Sequence, residues 1–463
     1  MKFLFSKKGW GIAVALAATL ATSALPVYAQ QQEAPQGPPE GAPPGPPPDG
    51  PGGPGGPGGP GGPGGPHQRP YTLSGAFTAG SGEAKQQTGE TYTAATKDLS
   101  AVYAHDGGKI ELIRPTIETS GDTSSQENSS FFGLNAAVLA AKGGTVVVKG
   151  GTIDTTGEGA NGAFASGHGS SVALFDVKIH ATGGGGHGVM TAGGGTITLS
   201  HVDIDTAREH GAALATDRGG GTVTAVGGTI LTAGDGSPAI YSTGLIKVSG
   251  AAMRSTGSEG AVIEGSNSVE VEDSTLEAGK LCGAMLYQSF SGDAHGQQSH
   301  FTMKGGTLTV AEGPAFYVTN THGTIKLTGV KITTASGVLL KAAPQGRWGR
   351  KGQNGGTATL LATEETLTGD LLVGEVSAIE ATLHASTLTG RIAGAALSLD
   401  GASQWTVTAD SQLAGLTLAD GVKGLQRIHG NGHTVSYKAD DSRNGWLAGK
   451  SYPLAGGGEL KPL

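Results

Sequence analysis

The sequence contains very little cysteine, few aromatic residues and little charge. A single cysteine, Cys282, among 463 residues excludes an intramolecular disulfide framework and any zinc site with several cysteine ligands. Aromatic residues make up 5% of the chain and charged residues 15%, while hydrophobic residues reach 37%, which is too apolar for a fully disordered protein. The 30 basic and 38 acidic residues give a formal net charge of −8, and no strongly basic domain is visible. Nucleic acid is therefore not expected as a partner.

Long apolar runs are also missing, except near the N-terminus. There, three lysines precede an apolar stretch at 10–20, and a Val-Tyr-Ala run ends at Ala29. This pattern predicts a Sec signal peptide at 1–29, cut after Ala29. No later segment approaches the roughly 20 apolar residues that a bilayer requires, so the mature chain is expected to lack a transmembrane segment. We expect an exported protein that is extracellular or on the cell surface, with the periplasm also open.

Glycine and proline are abundant instead, with 84 and 22 copies. From Pro51 to Pro66 the chain repeats Pro-Gly-Gly with a period of three. A segment of this composition cannot bury apolar surface and behaves as a solvated spacer. Residues 30–70 are therefore predicted to form a disordered linker.

A unit of about two dozen residues recurs through the rest of the chain. Each copy has a small residue, a short apolar strand, a β-branched strand and a third strand, separated by glycine turns. In each copy, the residue that follows the small residue serves as an anchor for alignment. Successive anchors lie 22 to 31 residues apart. They are Val138, Phe164, Val189, Ala213, Ile240, Val262, Met285, Phe316 and Leu339. Three short strands in so few residues predict an all-β parallel β-helix, with anchors such as Val138, Ile240, Val262 and Leu339 facing one continuous core.

From about Lys97 to Gly415 this pattern resembles the right-handed parallel β-helix superfamily. It is similar especially to secreted bacterial β-helix proteins and to the passenger domains of pertactin-like autotransporters. Those passengers continue into a membrane barrel of alternating strands, a pattern not seen before Leu463. The resemblance thus implies a passenger-like protein without the barrel, with a possible separate secretion partner.

The solenoid is predicted to span 71–424, and 425–463 to form a C-terminal capping segment. Four apolar residues of this tail are suited to closing the open end of the last turn. They are Trp446, Leu447, Tyr452 and Leu454.

The superfamily includes polysaccharide lyases and hydrolases, and such an activity would require a set of catalytic residues. His168 and His187 each lie in a Gly-His-Gly triplet that resembles one element of the polygalacturonase signature, but the carboxylate and basic elements of that signature are missing. These histidines are interpreted as turn residues. The acidic run with Glu270, Glu272 and Asp273 is interpreted as a solvated surface rather than a calcium site. We expect no catalytic residue, metal or cofactor.

Two intervals are longer than their neighbours and predict loops that leave the stack. They run from Met285 to Phe316 and from Leu339 to about Leu372. Such loops usually carry the binding surface of a solenoid, and their aromatic, amide and basic residues suit sugar stacking and hydrogen bonding. The predicted ligand-binding residues are Tyr287, Gln288, Asp293, His295, Tyr317, Asn320, Arg347, Trp348 and Arg350.

These observations favour an exported, non-enzymatic β-helix that binds a polysaccharide or host-surface glycan in the manner of an adhesin. A polysaccharide-degrading lyase or glycoside hydrolase is the first alternative. A structural envelope or matrix component is the second.

Overall fold

The computed structural model describes residues 70–290, 294 and 296–463. This part of the chain is all-β, 5% helical, and winds into a parallel β-solenoid of about 15 turns, so the predicted fold is confirmed. The predicted signal peptide and almost all of the predicted linker lie outside the described residues and stay predictions.

Each turn contributes up to three strands, which stack in parallel on the strands of the next turn and build three ladders. The first ladder contains Ser74–Ala79, Leu99–Ala104, Val138–Ala141, Ala163–Ser166, Val189–Ala192, Leu214–Thr216, Ile240–Ser242, Ala261–Glu264, Ala284–Tyr287, Phe316–Thr319, Val338–Ala342 and Asp370–Val373. The second contains Ala84–Thr88, Lys109–Ile113, Thr145–Lys149, Ser171–Phe175, Gly195–Ser200, Gly221–Val226, Leu245–Ser249, Ser268–Glu272, Gln298–Lys304, His322–Thr328, Thr357–Thr363 and Ala378–His384. Two longer strands then join both ladders, Ile392–Leu399 and Ser411–Leu418.

The third ladder consists of a ten-stranded sheet followed by a four-stranded sheet. The ten strands are Thr91–Ala94, Thr116–Thr119, Thr152–Thr155, Lys178–Ala181, Asp203–Thr206, Thr229–Thr232, Ala252–Ser255, Thr275–Ala278, Thr307–Val310 and Lys331–Thr334. The four strands are Thr366–Thr368, Thr387–Thr389, Gln404–Thr406 and Ile428–His429.

The second and third ladders alternate between buried and solvent-facing residues. In Thr145–Lys149, for example, Val146 and Val148 are fully buried, whereas Lys149 is exposed. Side chains of successive strand residues point to opposite faces, so every second residue enters the interior. The inward residues form one continuous hydrophobic core along the described solenoid.

From Leu99–Ala104 to Ala284–Tyr287, the strands of the first ladder are largely buried on both of their sides. One side faces the main core through residues such as Val138, Ile240 and Ile263. The opposite side carries a second hydrophobic cluster, here called the outer cluster, which contains Tyr103, Ala136, Leu139, Ala141, Phe164, Met190, Ala192, Ala212, Ala215, Tyr241, Val262 and Tyr287. The expectation that Val262 faces the same core as Val138 and Ile240 is therefore wrong. Ile263, not Val262, faces the main core, because the small residue that marked each repeat does not hold a constant register.

Two excursions from the stack pack against the outer cluster. The first contains the helix Gln126–Phe132, whose N-cap Ser125 accepts a hydrogen bond from the backbone of Asn128 at 3.2 Å. The helix ends at Gly133, with φ of 80°. A Cβ at Gly133 would lie 2.7 Å from side-chain atoms of Leu139 and Phe164, so this close approach requires glycine. The second excursion is the loop at 343–356 described below.

Parallel stacking continues into the C-terminal tail. After the 3₁₀ helix Gly421–Arg427, the strand Thr434–Tyr437 pairs with Ser411–Leu418, and Glu459–Pro462 pairs with Thr434–Tyr437. A second 3₁₀ helix spans Ser442–Leu447, and the short strand Tyr452–Pro453 pairs antiparallel with Glu459–Pro462. Leu447 and Leu454 are buried, and Trp446 and Tyr452 pack against the main core. The capping role of this segment stays a prediction.

Candidate functional site

The two long intervals form loops that meet beside the first ladder. We call the described residues 288–290, 294, 296 and 297 the Ser289 loop and residues 343–356 the Trp348 loop. Asn320 lies at the corner between them, in the left-handed region with φ of 52°, and its Nδ2 donates to the backbone oxygen of Gln288 at 2.7 Å. The backbone nitrogen of Asn320 donates to the carbonyl of Asn354 at 3.2 Å. One asparagine thus links the two loops.

The Trp348 loop folds back over the outer side of the first ladder. Buried Asn354 holds its shape, because Nδ2 donates to the carbonyls of Gln345 at 2.9 Å and Trp348 at 2.7 Å. A Cβ at Gly349, where φ is 75°, would lie 2.3 Å from the Cβ of Asn354. Only glycine therefore allows the chain to pass so close after the tryptophan.

Aromatic side chains fix the position of this loop. The ring of Trp348 is half-buried and lies 5.5 Å from the ring of Tyr287, centroid to centroid, in a tilted arrangement. The guanidinium of Arg347 lies 4.5 Å from the Trp348 ring. At the base of the loop, the hydroxyl of Tyr317 donates to the carbonyl of Ala343 at 3.3 Å. The result is an exposed arginine stacked on a tryptophan that rests on a buried tyrosine.

A buried carboxylate lies beneath these contacts. Glu264 is 1% exposed and accepts hydrogen bonds from the hydroxyls of Tyr241 at 2.9 Å and Tyr287 at 2.7 Å, and from Ser289. The strand register explains the arrangement, because Glu264 pairs with Tyr287 in the next turn and both point to the outer side. Glu264 therefore anchors the Ser289 loop directly and the Trp348 loop through Tyr287.

The electrostatics of this region follow from burial. Removal from water raises the pKa of Tyr241 and of Tyr287 well above the ordinary value, and the nearby Glu264 charge acts in the same direction. Burial also raises the pKa of Glu259, an effect that Arg347 opposes. Burial lowers the pKa of His210, and Arg347 adds to that shift. Arg347 is thus close enough to act on groups of earlier turns, and both tyrosines stay neutral hydrogen-bond donors near neutral pH.

The structure brings together seven of the nine predicted site residues. They are Tyr287, Gln288, Tyr317, Asn320, Arg347, Trp348 and Arg350, all on the two loops and the strands that carry them. Their roles differ: Tyr287 is buried, Gln288 is half-buried with Nε2 donating to the Ala294 carbonyl, and Arg350 is exposed. Asp293 and His295 lie outside the described residues. Binding by any of these residues stays a prediction.

Sequence reasoning missed Glu264, Ser289, Asn354 and Phe290. Phe290 directly follows the anchored Ser289 and is 69% exposed, so it offers an aromatic surface to solvent. One signal for Glu264 was present: it lies in the repeat EGAVIEG, at the end of a strand where neighbouring repeats have small or hydroxyl residues.

The histidines and glutamates considered above as catalytic or calcium-binding residues differ in their exposure to solvent. His168 is exposed between Gly167 and Gly169, which both have positive φ, as expected for a turn residue. His187 is instead buried, and burial lowers its pKa to about 4, so it is neutral at physiological pH. Glu270 and Glu272 are exposed and form ion pairs with Lys247 and Lys304.

No known protein-family model matches the sequence, and no curated protein matches it. None of the helices within 70–290, 294 and 296–463 has the length and hydrophobicity needed to cross a lipid bilayer. Within the same residues, no group of three or more His, Cys, Asp or Glu side chains is placed to hold a metal ion.

Proposed function

We propose that this chain is an exported, passenger-like β-solenoid that binds a glycan, without turnover, on the surface formed by the Ser289 and Trp348 loops. The observation that carries the proposal is how Trp348 is held. Its half-exposed ring packs on Tyr287, and its backbone carbonyl accepts a hydrogen bond from Asn354. Preorganised aromatic rings are the usual way in which proteins contact the apolar faces of sugars, because little conformational freedom is lost on binding.

Polar groups around the ring support the same ligand class. Gln288, Asn320 and Gln345 surround the junction of the loops, and the Oε1 atoms of Gln288 and Gln345 have no hydrogen-bond partner among the described residues. Buried acceptors without donors are costly. Sugar hydroxyls that reach these two oxygens would remove that cost. The exposed ring of Phe290 adds a second apolar surface.

We expect Trp348→Ala to weaken binding to a glycan by about 1 to 3 kcal/mol, which is roughly 5- to 150-fold in Kd. The reason is loss of the stacking surface and not of the fold, because the ring lies outside the main core. Glycan arrays of plant, algal and bacterial polysaccharides identify the ligand, and titration calorimetry measures its affinity.

Trp348→Phe is the control for this variant, since it keeps an aromatic ring and should retain most of the affinity. A Trp348→Ala protein that melts at a lower temperature but binds normally would show that the residue only covers the outer cluster. Released reducing ends or unsaturated uronides from the same polysaccharides would instead establish the enzyme alternative.

A further inference from the structure

The Trp348 loop lies in a stretch of the chain that contains no acidic residue. Residues 313–363 hold no Asp or Glu, although 38 acidic residues in 463 would place about four in a stretch of 51. The same stretch carries six basic residues, Lys326, Lys331, Lys341, Arg347, Arg350 and Lys351. Its formal charge is thus 6 − 0 = +6, in a chain whose net charge is −8.

Elsewhere on the described solenoid, several basic side chains pair with acidic ones on the adjacent turn. Lys247 faces Glu270 in register, with Nζ and the carboxylate 2.9 Å apart, and Lys304 faces Glu272 at 2.8 Å. Cross-strand neighbours of opposite charge stabilise a sheet, so this arrangement is the expected one for a stacked ladder. Each such pair neutralises the charges of its two partners.

The acid-free stretch departs from that arrangement. Five of its six basic residues form no ion pair within the part of the chain that the structure describes, namely Lys326, Lys331, Lys341, Arg350 and Lys351. Lys341 instead lies 5.7 Å from the ring of Tyr317, and Arg347 lies 4.5 Å from that of Trp348. Four of the six, Lys341, Arg347, Arg350 and Lys351, are exposed on the Trp348 loop and the strand that leads into it.

We infer that the ligand of this surface is an anionic glycan, carrying uronate carboxylates or sulfate esters, rather than a neutral one. This inference rests on the proposed glycan-binding function and names its ligand class. Lys341, Arg347, Arg350 and Lys351 pair with the anionic groups. Arg347 leaves the Trp348 ring to do so, and the ring then contacts the apolar faces of the sugars. Guanidinium groups are well suited to this task because they bind carboxylate and sulfate oxygens with two parallel hydrogen bonds.

Dextran and dextran sulfate are the matched probes, because the two polymers share a backbone and differ in charge. Binding of the full chain is measured at increasing NaCl, with a single-stranded DNA oligonucleotide as a third polyanion. We expect dextran sulfate to bind at least tenfold more tightly than dextran and DNA. Arg350→Gln/Lys351→Gln should weaken dextran sulfate binding by roughly five- to tenfold at low salt, and the difference should fade as salt rises.

Lys326→Gln/Lys331→Gln is the matched control. It removes the same charge from the same stretch, but on the second and third ladders, so binding should stay within twofold. Equal losses in the two double variants, or DNA binding as tight as dextran sulfate binding, would overturn the inference by showing nonspecific attraction. Equal binding of dextran and dextran sulfate would overturn it too, yet leave the glycan-binding function intact. If no glycan binds at all, the proposed function itself fails.

Discussion

Replacing Ile263 with aspartate is expected to destabilise the solenoid by several kcal/mol and to open the turns around it. The side chain is fully buried in the main core, between Ser242 and Leu286 in register on the neighbouring turns. A carboxylate in that position has to ionise without a partner or remain protonated at a raised pKa, and either outcome opposes folding. Chemical denaturation followed by circular dichroism measures the loss.

Two further aspartate variants make the test specific for the direction of each side chain. Val226→Asp, at an exposed position, should change stability by about 0.5 kcal/mol at most. Val262→Asp, in the outer cluster, should lower the stability by an amount between those of the other two variants, because water can reach that cluster when the loops detach. Its new charge also lies on the same side as Glu264. If Ile263→Asp is as stable as Val226→Asp, the inward assignment of Ile263 is wrong.

The contrast between Val262 and Ile263 shows how far periodicity could predict this fold. The second and third ladders alternate between apolar and polar residues, so both strand and orientation can be read from the sequence. Strands of the first ladder, such as Val138–Ala141, are buried on both sides and have no such alternation. The repeat length predicts their existence and order, but not which residues face the main core.

The candidate site was also predictable only in part. Extra residues must leave the stack, so interval lengths pointed to the Trp348 loop and to Tyr287. The links that join the loops were not predictable, because Glu264 contacts Ser289 from 25 residues away and Asn320 reaches back 32 residues to Gln288. The helix Gln126–Phe132 was also missed, since it lies before the first clear copy of the repeat.

Glu264→Ala is expected to cost about 3 to 5 kcal/mol of stability and to release both loops. The substitution removes the common acceptor of Tyr241, Tyr287 and Ser289, and it leaves two tyrosine hydroxyls buried without a partner. Each unsatisfied buried hydroxyl costs about 1 to 3 kcal/mol. Chemical denaturation measures the loss. Stronger acrylamide quenching of tryptophan fluorescence, absent when the same change is made in a Trp348→Phe background, reports release of the loop.

The decisive comparison also removes the tyrosine hydroxyls that donate to Glu264. If the cost arises from unsatisfied hydroxyls, Tyr241→Phe/Tyr287→Phe should recover much of the stability that Glu264→Leu removes. In the unsubstituted protein the same pair of changes should be destabilising, because Glu264 then loses two hydrogen-bond donors. Glu270→Ala is the matched control, because that carboxylate is exposed and pairs with Lys247 at 2.9 Å, and the change should cost at most about 1 kcal/mol. A Glu264→Ala protein as stable as Glu270→Ala would mean that the carboxylate does not hold the loops, and that Trp348 is positioned by packing against Tyr287 alone.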